Sequence, residues 1–146
     1  MEQTRKNFKT ASIVVLIFAG LSLLSVIVGL IFGDFNSVEV PADAPENILL
    51  MTKALLLVVS LIFLLPQVYI GVKGLKIAKT PDKSKGHIVW AVILLVFSVL
   101  SLITPVVNMV TQGDIMDNVG TLLGALLEVI VYYEYIKYAR EVLKAN

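Results

Sequence analysis

The charged residues of this chain lie in short stretches that are separated by long apolar runs. Three runs contain no Asp, Glu, Lys or Arg, and they cover residues 10–33, 54–72 and 86–113. About 20 helical residues span a hydrocarbon core of about 30 Å, and a helix satisfies its own backbone hydrogen bonds where no water is present. The three runs therefore predict transmembrane helices at about 11–32, 54–72 and 88–110.

A fourth apolar segment, at about 118–136, carries an acidic residue, Glu128, near its centre. It is long enough to cross a bilayer despite that residue. The alternative is a buried soluble helix, but an odd number of spans would place the basic C-terminus beside the acidic loops. We therefore predict an all-α integral membrane protein, a compact four-helix transmembrane bundle that forms a single domain over residues 1–146.

The second helix is expected to extend beyond the membrane, over about 45–79. Asp43-Ala44-Pro45-Glu46 resembles a capping box with a proline in the first turn of a helix. At the other end, Thr80-Pro81-Asp82 predicts termination, because proline cannot donate a hydrogen bond to the preceding turn. Inside the membrane, Pro66 and Pro105 are each expected to interrupt a helix.

Basic residues are concentrated on one side of the predicted membrane. The N-terminus, the second connection and the C-terminus together carry every Lys and Arg except Lys53, whereas the first and third connections are acidic. Lys and Arg near the ends of spans are retained on the cytoplasmic face. This pattern predicts a multi-pass protein of the plasma (cytoplasmic) membrane with both termini in the cytoplasm.

The two halves of the chain share a local pattern. Residues 15–25 align with residues 94–104, and a Tyr-x-x-x-Lys pattern begins at both Tyr69 and Tyr133. A tandem repeat of a helical hairpin, related by a pseudo-twofold axis along the membrane normal, would explain the match. Chance similarity between apolar segments of low complexity is the alternative.

Composition narrows the range of functions. The chain is 58% hydrophobic and 16% charged, against roughly 25% charged in soluble domains, and its mean hydropathy is +0.89. No Cys and a single His exclude a disulfide framework, a Cys-based zinc site and an iron–sulfur centre. We expect no metal, cofactor or enzymatic activity, since no catalytic motif is present, and the net charge of +1 argues against nucleic-acid binding.

Glu128 is the most informative residue for function. It lies about nine residues before Lys137, which at ~1.5 Å per residue places it about 13 Å deep. We expect a neutral acid that faces the bundle interior and either hydrogen-bonds a serine of another helix or couples proton movement to transport. The serines of the other helices are at comparable depth, whereas Gln67, beside Pro66, lies closer to the cytoplasmic side. The candidate functional residues within the membrane are Glu128, Ser22, Ser60, Ser98, Ser101 and Gln67.

Helix packing is the alternative role for the serines. Ala19, Ser22 and Gly29 form a stripe of small residues on the first helix, and such stripes let helices approach closely. Five tyrosines and the single tryptophan fall near the predicted cytoplasmic ends of the helices, where an aromatic belt would anchor them: Tyr69, Tyr132, Tyr133, Tyr135, Tyr138 and Trp90.

The second connection carries a group of lysines that suits anionic lipid headgroups at the cytoplasmic face. These candidate lipid contacts are Lys73, Lys76, Lys79, Lys83 and Lys85. Retention of positive charge inside the cell explains the same cluster equally well. His87, alone at a helix start, lacks the partners that a metal site or a catalytic base needs.

Two resemblances follow from the number of spans and from the deep acid. In its four spans the chain resembles the MARVEL and claudin groups of tetraspan proteins, although their signature residues and disulfides are missing. In carrying one deep Glu within four short helices it resembles the small multidrug resistance transporters, whose essential Glu lies in the first helix rather than the fourth, where Glu128 lies.

Two functions from different classes remain open. The first is a non-enzymatic structural or accessory protein that associates with itself, as a homo-oligomer, or with a membrane protein partner through small-residue helix faces. The second is a small proton-linked transporter centred on Glu128.

Overall fold

The computed structural model describes residues 2–32, 43, 45–113 and 115–145. Over these residues the chain forms five helices: α1 (Glu2–Phe32), α2 (Glu46–Lys79), α3 (Gly86–Ser101), α4 (Ile103–Gln112) and α5 (Ile115–Lys144). Because α3 and α4 together form a single span, the molecule has four long apolar segments that are able to cross a membrane. The prediction of an all-helical four-helix bundle is confirmed.

The four spans pack with α1 and α3 each placed between α2 and α5. α1 contacts α2 and α5, and α3 contacts the same two helices. α1 packs most extensively against α2, and α3 against α5. Adjacent spans in the chain run in opposite directions, so one end of the bundle brings together the start of α1, the end of α2, the start of α3 and the end of α5. We call this end the basic end, since most of the lysines and arginines lie there.

Buried side chains are concentrated towards the basic end. The core there includes Phe8 of α1, Ile70 and Ile77 of α2, Ala91 of α3 and Tyr135 of α5. Most apolar side chains elsewhere along the spans are exposed on the surface of the bundle. Exposed apolar surface on this scale is what lipid tails would cover, because a bilayer is as apolar as a leucine side chain.

Two glycines of α2 allow a close contact with α1. A Cβ atom at Gly74 would overlap Ser12 Oγ of α1 and lie 2.9 Å from the ring of Tyr135, and one at Gly71 would lie 2.5 Å from Leu16. Only a residue without a side chain fits at these two positions. Ser12 itself is fully buried, and its hydroxyl donates to the carbonyl of Phe8 at 2.9 Å.

The start of α2 differs from its predicted form. Pro45 occupies the N-cap position, and no side chain caps the helix, so the predicted capping box is wrong. Proline has no N–H to satisfy, and its carbonyl accepts the first helical bonds, from the backbone N–H groups of Ile48 at 3.0 Å and Leu49 at 3.4 Å. The helix ends at Lys79, immediately before Thr80-Pro81-Asp82.

The two intramembrane prolines act differently. The third span breaks at Leu102, three residues before Pro105, where the Leu102 N–H turns back to the carbonyl of Val99 at 3.1 Å. α2 continues without a break through Pro66, so the predicted interruption there is wrong. Pro66 removes only one backbone hydrogen bond, and the packing of α2 against α1 and α3 keeps the helix continuous.

Polar contacts order the connection between α2 and α3. Arg5 of α1 donates to the carbonyls of Ala78 and Lys79, at 3.2 and 2.6 Å, and so satisfies the C-terminus of α2. Asp82 accepts a 2.8 Å hydrogen bond from the backbone N–H of Ser84 and a 3.1 Å bond from Lys73 Nζ. The Ser84 N–H and then the Lys73 ammonium hold the pKa of Asp82 below its ordinary value.

Candidate functional site

Glu128 lies midway along α5 and is half-buried against α3. Its Oε2 accepts a hydrogen bond of 3.3 Å from the hydroxyl of Ser98, a residue that is only 5% exposed. The two residues face each other because Ser98 continues the buried face of α3 that begins at His87 and includes Ala91 and Leu94. The acid is thus partnered with a serine of a neighbouring helix.

One helical turn beyond Glu128, the side chain of Tyr132 is buried at 2% exposure. It lies next to both Glu128 and Gln67 of α2. The carboxamide oxygen of Gln67 is itself buried and has no hydrogen bond to any residue that the structure describes. We call Gln67, Ser98, Glu128 and Tyr132 the polar cluster.

A cavity of about 190 Å³ lies between α1 and α2 and is lined in part by Gln67. Ser22 of α1 and Ser60 of α2 line it together with Gln67, and the rest of its wall is apolar. Gln67 therefore lies beside Tyr132 of the polar cluster and also lines the cavity with the two serines.

The six intramembrane candidate residues differ in the side chains that they contact. Ser98 and Glu128 are hydrogen-bonded, and Ser22, Ser60 and Gln67 share the cavity. Ser101 donates its hydroxyl to the backbone carbonyl of Ser98 in its own helix at 2.7 Å and not to a side chain of either group. That bond lies immediately before the break at Leu102, so Ser101 provides a hydrogen bond to a backbone carbonyl at the end of α3.

Chemically, the polar cluster contains one ionisable carboxyl group, two hydroxyl groups and one carboxamide. Each hydroxyl group and the carboxamide can both donate and accept hydrogen bonds, and the carboxyl group can hold a proton. Among the described residues no group of three or more His, Asp or Glu side chains is arranged to hold a metal ion.

The aromatic belt prediction is wrong for part of its members. Tyr135 is fully buried, and its hydroxyl donates to the carbonyl of Ile70 at 2.7 Å, while Tyr132 belongs to the polar cluster. Tyr69, Tyr133 and Trp90 are exposed, as an interfacial position requires. The buried residues of α5 lie at 125, 132, 135, 139 and 142, at intervals of seven, three or four positions, and this spacing places Tyr132 and Tyr135 on the packed face of the helix.

His87 is a core residue, although the sequence predicted no role for it. It is 2% exposed and packs between Phe8 and Tyr135, with ring centroids 6.2 and 6.1 Å from its own. Neither ring nitrogen has a hydrogen-bond partner among the described residues. Its spacing of four residues from Ala91 could have identified it as part of the buried face of α3.

The lysines of the second connection are mostly exposed. Lys73 is the exception, since it is partly buried and paired with Asp82. Lys76, Lys79, Lys83 and Lys85 are exposed to solvent.

No protein-family model, curated protein or solved structure matches this chain.

Proposed function

We propose that this chain is a small, non-enzymatic membrane protein of structural or accessory type, which associates with a second copy or with another membrane protein through a small-residue helix face. The observation that carries the proposal is a pair of open glycines on α5. A Cβ atom at Gly120 or at Gly124 would meet no heavy atom within 4 Å.

The open glycines contrast with those that pack inside the bundle. Side chains of α1 and α5 fill the space beside Gly71 and Gly74. Gly120 and Gly124, in contrast, are exposed, and they lie one helical turn apart in an apolar segment. Two glycines with this spacing let the backbone of another helix approach closely and gain packing contacts. We place the association face on α5, because Ser22 of the predicted α1 stripe lines the cavity between α1 and α2.

The proposal includes the orientation of the molecule. The basic end would face the cytoplasm, with both termini inside and the chain in the plasma membrane, in line with the charge distribution. Preferential packing of α1 with α2 and of α3 with α5 is the arrangement that a tandem hairpin repeat requires, and it supports that interpretation of the sequence pattern.

Disulfide crosslinking in native membranes tests self-association. The chain has no cysteine, so Gly120→Cys, Gly124→Cys and Leu126→Cys each introduce a single thiol. Leu126 is also exposed but lies about 200° around the helix from Gly124, at ~100° per residue. We expect oxidised dimers for the two glycine positions and none for the control. Equal crosslinking at all three positions, or none at any, would contradict a homomeric face.

Proton-linked transport through Glu128 is the second candidate. The observation that favours it is the polar cluster, in which Tyr132 lies next to both Glu128 and Gln67, and Gln67 also lines the cavity that contains the two serines. A pH gradient across proteoliposomes, followed with a pH-sensitive dye, should then decay faster than in protein-free vesicles. Glu128→Gln should abolish that difference, while Glu134→Gln, a matched change on the same helix, should retain it.

A further inference from the structure

A cavity of about 620 Å³ opens at the basic end, between the start of α1 and the end of α2. Three cationic side chains line it, from Arg5, Lys6 and Lys9. Its apolar wall includes Ala78 and Val142, which are 8% and 2% exposed. A volume of this size is within the range of small-ligand sites in proteins.

The cations of this cavity differ in how firmly they are held. Arg5 is half-buried, and its bonds to the carbonyls of Ala78 and Lys79 fix its guanidinium at the edge of the cavity. A guanidinium carries five N–H donors, so two carbonyl contacts do not exhaust it. Lys6 and Lys9 are exposed, and their ammonium groups form no ion pair within the part of the chain that the structure describes.

The cavity contains one carboxylate, from Glu2, which offsets part of the positive charge. Three cations against one anion still leave a net positive site. An anion with two or more oxygen acceptors, such as a phosphate ester, fits the arginine and the two lysines together.

The exposed surface of α1 continues from these cations into apolar residues. Lys6, Lys9, Ile13 and Ile17 follow one another at intervals of three or four residues, and all four are exposed. The distance along the helix from Lys9 to Ile17 is about 12 Å, at ~1.5 Å per residue. A ligand that contacts both the cations and the two isoleucines must carry a negative group at one end and an apolar chain that extends from it along α1.

From the cavity and these four exposed residues of α1 together we propose that the start of α1 binds an anionic phospholipid. The phosphate lies in the cavity against Arg5, Lys6 and Lys9, and the acyl chains lie along Ile13 and Ile17. Pro81 of the connection between α2 and α3 also lines the cavity, but the lysines of that connection do not. The proposal does not depend on which compartment the basic end faces.

Native mass spectrometry of the protein in mild detergent tests the proposal. Binding of phosphatidylglycerol is compared with that of phosphatidylcholine and of glycerol phosphate, a soluble ligand with a similar phosphate group. Lys6→Gln with Lys9→Gln removes two charges of the cavity, and Lys83→Gln with Lys85→Gln removes two exposed charges of the connection. Thermal unfolding of each double variant reports whether its fold is retained.

We expect phosphatidylglycerol to bind more tightly than both other ligands. Loss of Lys6 and Lys9 should weaken it by about fivefold per lysine, which corresponds to the ~1 kcal/mol that a basic residue contributes near an anionic leaflet. Loss of Lys83 and Lys85 should leave the affinity unchanged. The same loss in both variants would overturn the proposal in favour of diffuse surface charge, and equally tight binding of glycerol phosphate would identify a site for free phosphate esters.

A second measurement requires no substitution. A photoactivatable phosphatidylglycerol bound to the native protein should crosslink to residues 5–17 of α1. Crosslinks confined to residues 83–85, which do not line the cavity, would place the lipid on the lysines of the connection and overturn the proposal.

Discussion

Glu128 and Ser98 meet across the contact between α3 and α5, and each satisfies a polar group of the other. Glu128→Leu should lower stability by about 1–3 kcal/mol, because it leaves the buried hydroxyl of Ser98 without its partner. Glu128→Gln should preserve stability, since the carboxamide has a similar shape and can still accept from Ser98. Thermal unfolding in detergent measures both effects.

A double variant provides the control for this prediction. Ser98→Ala combined with Glu128→Leu removes both polar partners, and replacing both is nearly neutral where replacing one is costly. The double variant should therefore recover most of the stability that Glu128→Leu loses. If it is as unstable as the single variant, the loss comes from leucine packing and not from the hydrogen bond.

The sequence identified Gln67, Ser98 and Glu128 as candidates but not Tyr132, which lies next to Glu128 and Gln67. A carboxyl group in the middle of an apolar run stands out by its charge, and the number of serines at its depth is small. Tyr132 does not stand out, because its sequence context matches that of Tyr133, which is exposed. Which of two adjacent tyrosines is buried depends on the rotation of α5 about its axis, and tertiary packing determines that rotation.

At the scale of elements, the contact between α1 and α2 depends on Gly74. Gly74→Ala places a methyl group onto Ser12 Oγ and against the ring of Tyr135. Overpacking of this kind typically costs about 1–3 kcal/mol, and we expect a corresponding fall in the thermal unfolding temperature. Ser12→Gly in the same chain should restore part of the loss, because it removes the side chain that the new methyl group meets.

Gly124→Ala is the matched control, since its Cβ would meet nothing within 4 Å. It should leave the unfolding temperature of the monomer unchanged or slightly raised, because alanine favours helix over glycine by about 1 kcal/mol in water. Equal losses in Gly74→Ala and Gly124→Ala would contradict the assignment of the close contact to Gly74.

The connection between α2 and α3 predicts a pH dependence. The pKa of Asp82 is held below its ordinary value of 3.8 by the Ser84 N–H and by Lys73. A depressed carboxyl pKa contributes stability that is present above the unfolded-state pKa and is lost as the pH falls through the folded-state value. Asp82→Asn should therefore lower the unfolding temperature at pH 7, and its difference from the native chain should shrink as the pH falls below 3.8.

Ser84→Ala serves as the control for the connection. Asp82 accepts its hydrogen bond from the backbone N–H of Ser84, which alanine retains. The unfolding temperature of this variant should depend on pH in the same way as that of the native chain. A pH-independent difference between Asp82→Asn and the native chain would show that the carboxylate contacts do not stabilise the fold.

At the scale of the whole molecule, the number of spans was predictable and their packing was not. A hydrocarbon core requires long apolar helices, and that requirement is visible as runs without charge. The same core removes the contrast that identifies a buried face in a soluble protein, because lipid-facing side chains are as apolar as packed ones. Val15 is buried and Ile17 is 55% exposed on the same helix, with no difference in polarity to distinguish them.

The glycines illustrate the same limit. Gly74 and Gly124 both lie in apolar helices with another glycine three or four residues away, yet one is packed against α1 and the other is open. A sequence pattern shows that a backbone can be approached closely, but it does not show which helix approaches. The three-dimensional arrangement is needed to separate internal contacts from a face available to a second molecule.

The charge distribution along the chain predicts which end of the molecule faces the cytoplasm. Asp43, just before α2, and Lys83, between α2 and α3, are both exposed and lie at opposite ends of the second span. Because the chain has no cysteine, Asp43→Cys and Lys83→Cys each carry a single thiol. If the basic end faces the cytoplasm, a membrane-impermeant maleimide should label Asp43→Cys in intact cells and should label Lys83→Cys only after permeabilisation. Labelling of both variants in permeabilised cells controls for reactivity, and labelling of Lys83→Cys in intact cells would reverse the proposed orientation.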